Sequence, residues 1–178
     1  GRVALGHRST DREQIFANVG PNELLDVVPM IDGRPHAWTA WTLGPTLVYC
    51  VHPAPILELL EINPAFRQAL LAFVAAELRT LAGVVSDLTL KDVTARVAGV
   101  LLQCVKEEGR LLEDGLSISC TLTARELAAR SGTVREVAQR TLRRLEETHL
   151  IARRAGKITI LDIARLRCRA EGYPLSDE

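Results

Sequence analysis

Residues 123–144 read Thr123-Ala124-Arg125-Glu126-Leu127-Ala128-Ala129-Arg130-Ser131-Gly132-Thr133-Val134-Arg135-Glu136-Val137-Ala138-Gln139-Arg140-Thr141-Leu142-Arg143-Arg144, and this stretch decides the fold. Thr123 followed three residues later by Glu126 is a capping box, in which hydroxyl and carboxylate satisfy free amides at a helix start. Leu127-Ala128-Ala129 continues that first helix with small residues that let a second helix cross closely. Ser131-Gly132 reads as the turn. Thr133-Val134-Arg135-Glu136 reads as a second capping box, opening a helix from Val134 to about Thr148 with Val137, Leu142 and Leu145 inward. Leu150-Ile151, then Ala152-Arg153-Arg154-Ala155-Gly156-Lys157, then Ile158-Thr159-Ile160-Leu161 read as a hairpin with a basic, glycine-containing tip. Two capped helices, a tight turn and a hairpin make a winged helix-turn-helix.

Charge agrees with this reading. The 178 residues carry 22 basic and 22 acidic side chains, yet residues 1–120 have a balance of −4 and residues 121–170 one of +7, with three acids in 171–178. A positive half beside a negative one points to a polyanion partner. Arg135, Glu136, Gln139 and Arg140 share the outward face near the amino end of the second helix. Arginine grips guanine bidentately and glutamate accepts from the cytosine amino group, so these four are the candidate base readers. Thr123, Arg125, Thr133, Arg143, Arg144 and Lys157 are the candidate phosphate contacts, which add affinity and salt dependence but no sequence reading. The competing reading is a solvated basic helix, with Glu136 and Arg140 as an i,i+4 ion pair.

Upstream, Asp92 is placed to cap a helix over Val93–Glu108; Gly109 ends it and Asp114-Gly115 makes a turn. Residues 64–88 open with Pro64 at a helix start. Phe66, Leu70, Phe73, Leu81, Val84 and Leu88 then recur at helical spacing. About 24 residues of helix span about 36 Å, and the apolar face is wider than a small sheet would cover, which predicts a dimerisation helix. Residues 1–52 read as short strands between turns: Val3–His7, the turn Ser9-Thr10-Asp11-Arg12, Gln14–Val19, the turn Gly20-Pro21-Asn22, then Thr39–Leu43 and Thr46–Val51 about Gly44-Pro45. Six prolines between Pro21 and Pro55 argue against long helices there. The expected division is 1–63, an effector-type β domain; 64–90, the dimerisation helix and hinge; and 91–170, the winged helix-turn-helix.

Other classes find little support. No run of apolar letters approaches the roughly 18–20 residues of a membrane span, and residues 1–6 lack a secretory signal, so no membrane partner is expected. Cys50, Cys104, Cys120 and Cys168 form no Cys-x-x-Cys pair and read as reduced thiols of a cytoplasmic protein. There is no Gly-rich phosphate loop, Gly-x-Ser-x-Gly elbow or His-Glu-x-x-His, so no enzyme is expected.

The chain resembles the superfamily of the cyclic-AMP receptor protein and the fumarate-nitrate reductase regulator, CRP/FNR, to about residue 167. The resemblance rests on Asp92-Val93-Thr94-Ala95-Arg96-Val97-Ala98, Gly132, Arg135-Glu136-x-x-x-Arg140, Leu150-Ile151, and the fainter Gly20-Pro21-Asn22-Glu23-Leu24-Leu25 and Asp32-Gly33-x-Pro35. It implies an α+β fold: an antiparallel β-roll of the cyclic-nucleotide-binding type, amino-terminally incomplete, a long dimerisation helix and a carboxy-terminal winged helix-turn-helix. It implies a homodimer on palindromic double-stranded DNA with TGTGA-like half-sites, and RNA polymerase as a partner. Val134 and Gln139 depart from the cyclic-AMP branch, which bears on flanking bases.

The effector pocket departs further. In the family a Gly-Glu pair and a Pro-Arg-Ser-Ala run hold the cyclic nucleotide; here Glu23 remains, Asp26 and Val27 replace the second Gly-Glu pair, and His36-Ala37 replace Arg-Ser. Leu81 and Ala82 stand where hydroxyls meet the base, and Trp38 and Trp41 add bulk. Asp26 would repel a phosphate and Val27 accepts no hydrogen bond, so cyclic-nucleotide binding is expected to be lost and no cofactor is expected. The alternatives are a different small ligand, a redox or gas signal, or a ligand-binding module with secondary DNA contact. Cys50 falls where the oxygen-sensing branch has its central iron–sulfur ligand, without the other three, and His36 and His52 are isolated metal-ligand candidates.

Overall fold

The computed structural model describes residues 1–10, 13–108, 110–111, 118–120, 122–154 and 156–174. Gly109, Asp114-Gly115, the Asp11-Arg12 half of the first turn, and Ala155 at the hairpin tip lie outside the described residues. The chain divides into two compact units, one of Gly1–Arg8 and Ile15–Val85, the other of Ser9–Gln14 and Ser86–Glu178.

The first unit carries a three-stranded sheet in the order β2-β1-β3, with β1 Val3–Arg8, β2 Glu13–Val19 and β3 Thr39–Thr42. Strand β1 runs antiparallel to β3, Val3 facing Thr42 and Gly6 facing Thr39. Val3, Ala4, Leu5 and Ile15 form its buried centre. Helix α1 covers Val28–Asp32 and ends at Gly33, whose φ of 68° is left-handed. Thr46–Val51, expected as a strand, is not one; Leu47 and Tyr49 are 75% and 85% exposed. The outer edge of β3 is open, but this segment does not add to it.

Helix α2, Pro53–Ile62, lies where prolines argued against helix. Pro53 and Pro55 sit in its first turn, where a missing N–H leaves nothing unsatisfied. The His52 ring accepts from the Ala54 N–H at 3.3 Å and caps it. Helix α3, Pro64–Leu90, is 27 residues long and contains an 18-residue window of mean hydropathy 1.6, none of it buried. By length and composition this helix is apolar enough to cross a membrane, which corrects the expectation drawn from unbroken apolar runs: Glu77 and Arg79 interrupt the letters but not the average.

The second unit is built around α4 (Val93–Glu108), α5 (Ala124–Ser131), α6 (Arg135–Glu147) and α7 (Ile163–Ala170), with a four-stranded sheet in the order β4-β5-β7-β6. Strands β4 and β5 are Arg110–Leu111 and Ile118–Cys120; β6 and β7 are Ile151–Arg154 and Lys157–Ile160. Leu101, Leu127, Leu145, Leu150, Ile151, Ile160 and Leu166 are at most 2% exposed and make one core. Truncating one such leucine to alanine costs about 2–5 kcal/mol. Helix α7, not foreseen in the sequence, contributes Leu166 and Ala170 to that core; Asp162 caps it by accepting from the Arg165 N–H at 2.9 Å.

Asp92 joins the two ends of this unit. Its Oδ1 accepts from the Ala95 N–H at 2.8 Å, capping α4 as expected. Both carboxylate oxygens also accept from Nη2 of Arg169, at 2.6 and 2.5 Å, and Arg169 is a buried side chain of α7. Partial burial pushes the Asp92 carboxyl up, but the Arg169 hydrogen bonds and charge and the Ala95 and Thr94 amides outweigh it and hold the group below its usual value. A carboxyl depressed in the fold stabilises above its unfolded pKa and loses that contribution as pH falls through the folded one. Thermal melts from pH 6 down to pH 3 are therefore expected to show a steeper fall for the parent than for Asp92→Asn, which begins less stable.

Candidate nucleic-acid interface

Helix α5 starts as the sequence predicts: Thr123 Oγ1 accepts from the Glu126 N–H at 3.1 Å. It ends at Gly132, with φ 64° and ψ 41°, whose N–H donates to Ala128 O. An L side chain is strained at that φ, and a Cβ there would lie 2.4 Å from Leu88 Cδ2. The second capping box does not form. The Thr133 N–H is spent on Ala128 O, closing α5, and Val134 is extended, with no side-chain cap, so α6 begins at Arg135 rather than Val134.

Helix α6 buries Ala138, Thr141, Leu142 and Leu145, a stripe at spacings of three, one and three. Arg135, Glu136, Arg140, Arg143 and Arg144 are therefore exposed, and Gln139 is half-buried at the rim. Among the described residues none of these five charged side chains is held in an ion pair, so the Glu136–Arg140 pair does not form. Other arginines are committed internally. Arg96 donates to Ser131 O at 2.8 Å and Lys91 O at 2.7 Å; Arg130 pairs with Glu107 at 3.2 Å, Arg153 with Glu146 at 2.7 Å and Arg169 with Asp92. Arg154 and Lys157 at the hairpin tip are exposed and directly opposite in register, a like-charge pair that an anion would relieve. Arg154 was missed in the sequence, although it adjoins Arg153 in the basic tip.

Arg125 is exposed but engaged: its Nη2 and Nε donate to Glu13 Oε1 and Oε2 at 2.6 and 3.2 Å. The Glu13 hydrogen bonds and charge raise the guanidinium pKa further, so Arg125 stays charged. Thr123 is exposed and Thr133 half-buried beside the turn.

The effector-type residues lie in the first unit. His36 Nδ1 is 2.5 Å from Asp26 Oδ2, with Asp26 only 5% exposed. Asp26 has a left-handed φ of 52°, at the place where the resemblance expects glycine. Glu23 accepts from the Gly20 N–H at 2.6 Å. Val27 precedes α1, Ala37 and Ala82 are exposed, Leu81 is half-buried, and Trp38 Nε1 is buried without a hydrogen-bond partner among the described residues. Cys50 is exposed, and no group of three or more His, Cys, Asp or Glu able to hold a metal ion occurs among the described residues.

A recognition helix with an outward cationic face, a turn fixed by glycine and a basic hairpin define a DNA-binding module. The family model for the Crp-like helix-turn-helix domain matches residues 95–169. The CRP-like cAMP-activated global transcriptional regulator of Mycobacterium tuberculosis is 27% identical over 171 residues, covering 96% of this chain and 76% of the relative. The cAMP-activated global transcriptional regulator CRP of Pasteurella multocida is 34% identical over 104 residues, 58% of this chain and 49% of the relative. A CRP/FNR-family transcriptional regulator of Thermus thermophilus has the same fold, with a TM-score of 0.75 at 20% identity over 97% of this chain and 84% of that one. Residues 95–169 thus match a Crp-like helix-turn-helix domain, and over nearly its whole length the chain is similar to transcription regulators of the CRP/FNR family.

A phosphate would have to displace the Glu13 carboxylate to pair with Arg125. Glu13→Gln, which removes the charge and keeps the shape, is expected to raise duplex affinity two- to threefold and to steepen the slope of log affinity against log salt by about 1, as read by fluorescence anisotropy.

Proposed function

We propose that this protein is a cytoplasmic regulator that binds two-fold DNA sites with TGTGA-like half-sites as a homodimer, without cyclic AMP. The observation that carries the reading is the set Arg135, Glu136 and Arg140, exposed and, among the described residues, in no ion pair on the amino-terminal half of α6, while Arg96, Arg130, Arg153 and Arg169 are held inside the fold. With Gln139 they meet base edges in the major groove; Thr123, Arg125, Thr133, Arg143, Arg144, Arg154 and Lys157 meet phosphates. RNA polymerase is the partner that the resemblance implies. The working division remains 1–63, 64–90 and 91–170.

The homodimer reading draws on α3. Leu71, Leu78 and Val85 are more than 60% exposed and seven residues apart. Val74, Leu81 and Leu88 follow each by three, which completes an a/d heptad suited to a two-stranded coiled coil. Of the residues expected in the interface, Leu88 is exposed, while Phe66, Leu70, Phe73, Leu81 and Val84 are half-buried within the chain, as is Val74 of the heptad.

Loss of the cyclic-nucleotide response draws on the Asp26–His36 pair. The turn keeps its left-handed residue, but a carboxylate occupies it, and the imidazole that replaces the arginine is turned onto that carboxylate. A second reading, a different small ligand in the β domain, draws on the unpartnered Trp38 Nε1.

Selection from random duplexes is expected to return two-fold sites. Arg135→Ala or Arg140→Ala relaxes one position in each half-site, at about 1–3 kcal/mol of lost discrimination, while Arg143→Ala weakens all duplexes alike. Leu78→Glu reduces the protein to a monomer in sedimentation and loses the paired half-sites. Failure of any duplex to be enriched overturns the DNA reading. Calorimetry with cyclic AMP is expected to give no heat of binding, and saturable micromolar binding would overturn the lost-pocket reading.

A further inference from the structure

Glu146, on the last turn of α6, accepts three hydrogen bonds from one residue of the hairpin. The Arg153 N–H donates to Oε1 at 3.1 Å, and Arg153 Nε and Nη2 donate to Oε2 at 2.9 and 2.7 Å. Strand β6 is the outer strand of its sheet, so its outward amides face no other strand. The carboxylate therefore takes a main-chain donor of the sheet edge and the guanidinium of the same residue, and it fastens strand to helix at two points. The guanidinium in turn draws the Glu146 carboxyl below its usual range, which keeps the acceptor charged. The next residue along β6 is Arg154, and Lys157 faces it across the ladder. Neither cation has an ion-pair partner among the described residues, and their like charges repel each other across the ladder.

We infer that Glu146 is a positioning residue for DNA binding: by clamping Arg153 it holds the hairpin at a set distance from the recognition helix, so that Arg154 and Lys157 meet the backbone while α6 lies in the groove. The inference rests on the DNA reading above. It also assigns Arg153 away from the DNA, although Arg153 is the first cation of the basic tip. The hairpin root is already fixed by buried Leu150, Ile151 and Ile160, so removal of the clamp frees the tip and leaves the fold in place.

The test uses the full chain and the duplex enriched by selection. Glu146→Ala is expected to weaken binding about five- to tenfold for every sequence alike and to lower the salt slope by about 1–2, the loss of one or two phosphate contacts. Glu146→Gln keeps an acceptor for the Arg153 amide and falls between. In a double-mutant cycle, Lys157→Ala costs several-fold in the parent and almost nothing in the Glu146→Ala background. Melting temperatures of all variants are measured first, and binding is read well below them. Unchanged affinity and slope for Glu146→Ala, tighter binding because Arg153 is released to phosphate, or additive losses with Lys157→Ala would each overturn the proposal. If the parent itself enriches no duplex, the DNA reading fails instead, which separates the two.

Discussion

Burial of the stripe Ala138, Thr141, Leu142 and Leu145 is the constraint on which the rest of the DNA-binding unit depends. A helix with one face committed to a core has no freedom to choose what its other face presents. Once Leu142 and Leu145 enter the core with Leu127 and Leu101, the guanidinium groups of Arg135, Arg140 and Arg143 must face outward. Hydrophobic burial thus aims polar groups that make no contribution to the core. The same logic places the cations with structural duties elsewhere: Arg169, 6% exposed, lies across Asp92, because a buried guanidinium without an anion would be strongly destabilising.

Much of this unit was legible in the sequence because its signals are local. Thr123 and Glu126 announced the start of α5, Asp92 that of α4, and Gly132 the turn, each through hydrogen bonds within a few residues. What was illegible depends on distant partners. The second capping box failed because the Thr133 amide is drawn back to Ala128. Helix α7 is eight residues long, too short for a clear period, and is stabilised by packing Leu166 onto residues far away in sequence. Prolines were read as breakers over 53–55, whereas their position in the first turn makes them helix starters.

The first unit was less legible for a related reason. Strand reading rests on β-forming residue types, and Thr46–Val51 has them without joining the sheet: Leu47, Tyr49 and Val51 are exposed. Among the effector-type residues, Asp26 has the left-handed backbone conformation that glycine readily adopts, and its carboxylate meets His36. Spacing in the sequence identified the positions; the pairing between them was visible only in three dimensions. For the outward side chains of α6, residue types and spacing were readable in the letters, and the fold supplied which arginines are already occupied.

The outermost position of β6 has a consequence beyond ligand binding. An open ladder edge invites strands of other molecules to add to it, and a crowded protein carrying one risks fibrous assembly. Here one edge amide is stoppered by the Glu146 carboxylate, and the far end of the hairpin bears two adjacent cations that repel a second copy of themselves. The chain can therefore keep an accessible basic finger at high concentration without that finger zipping to its neighbours.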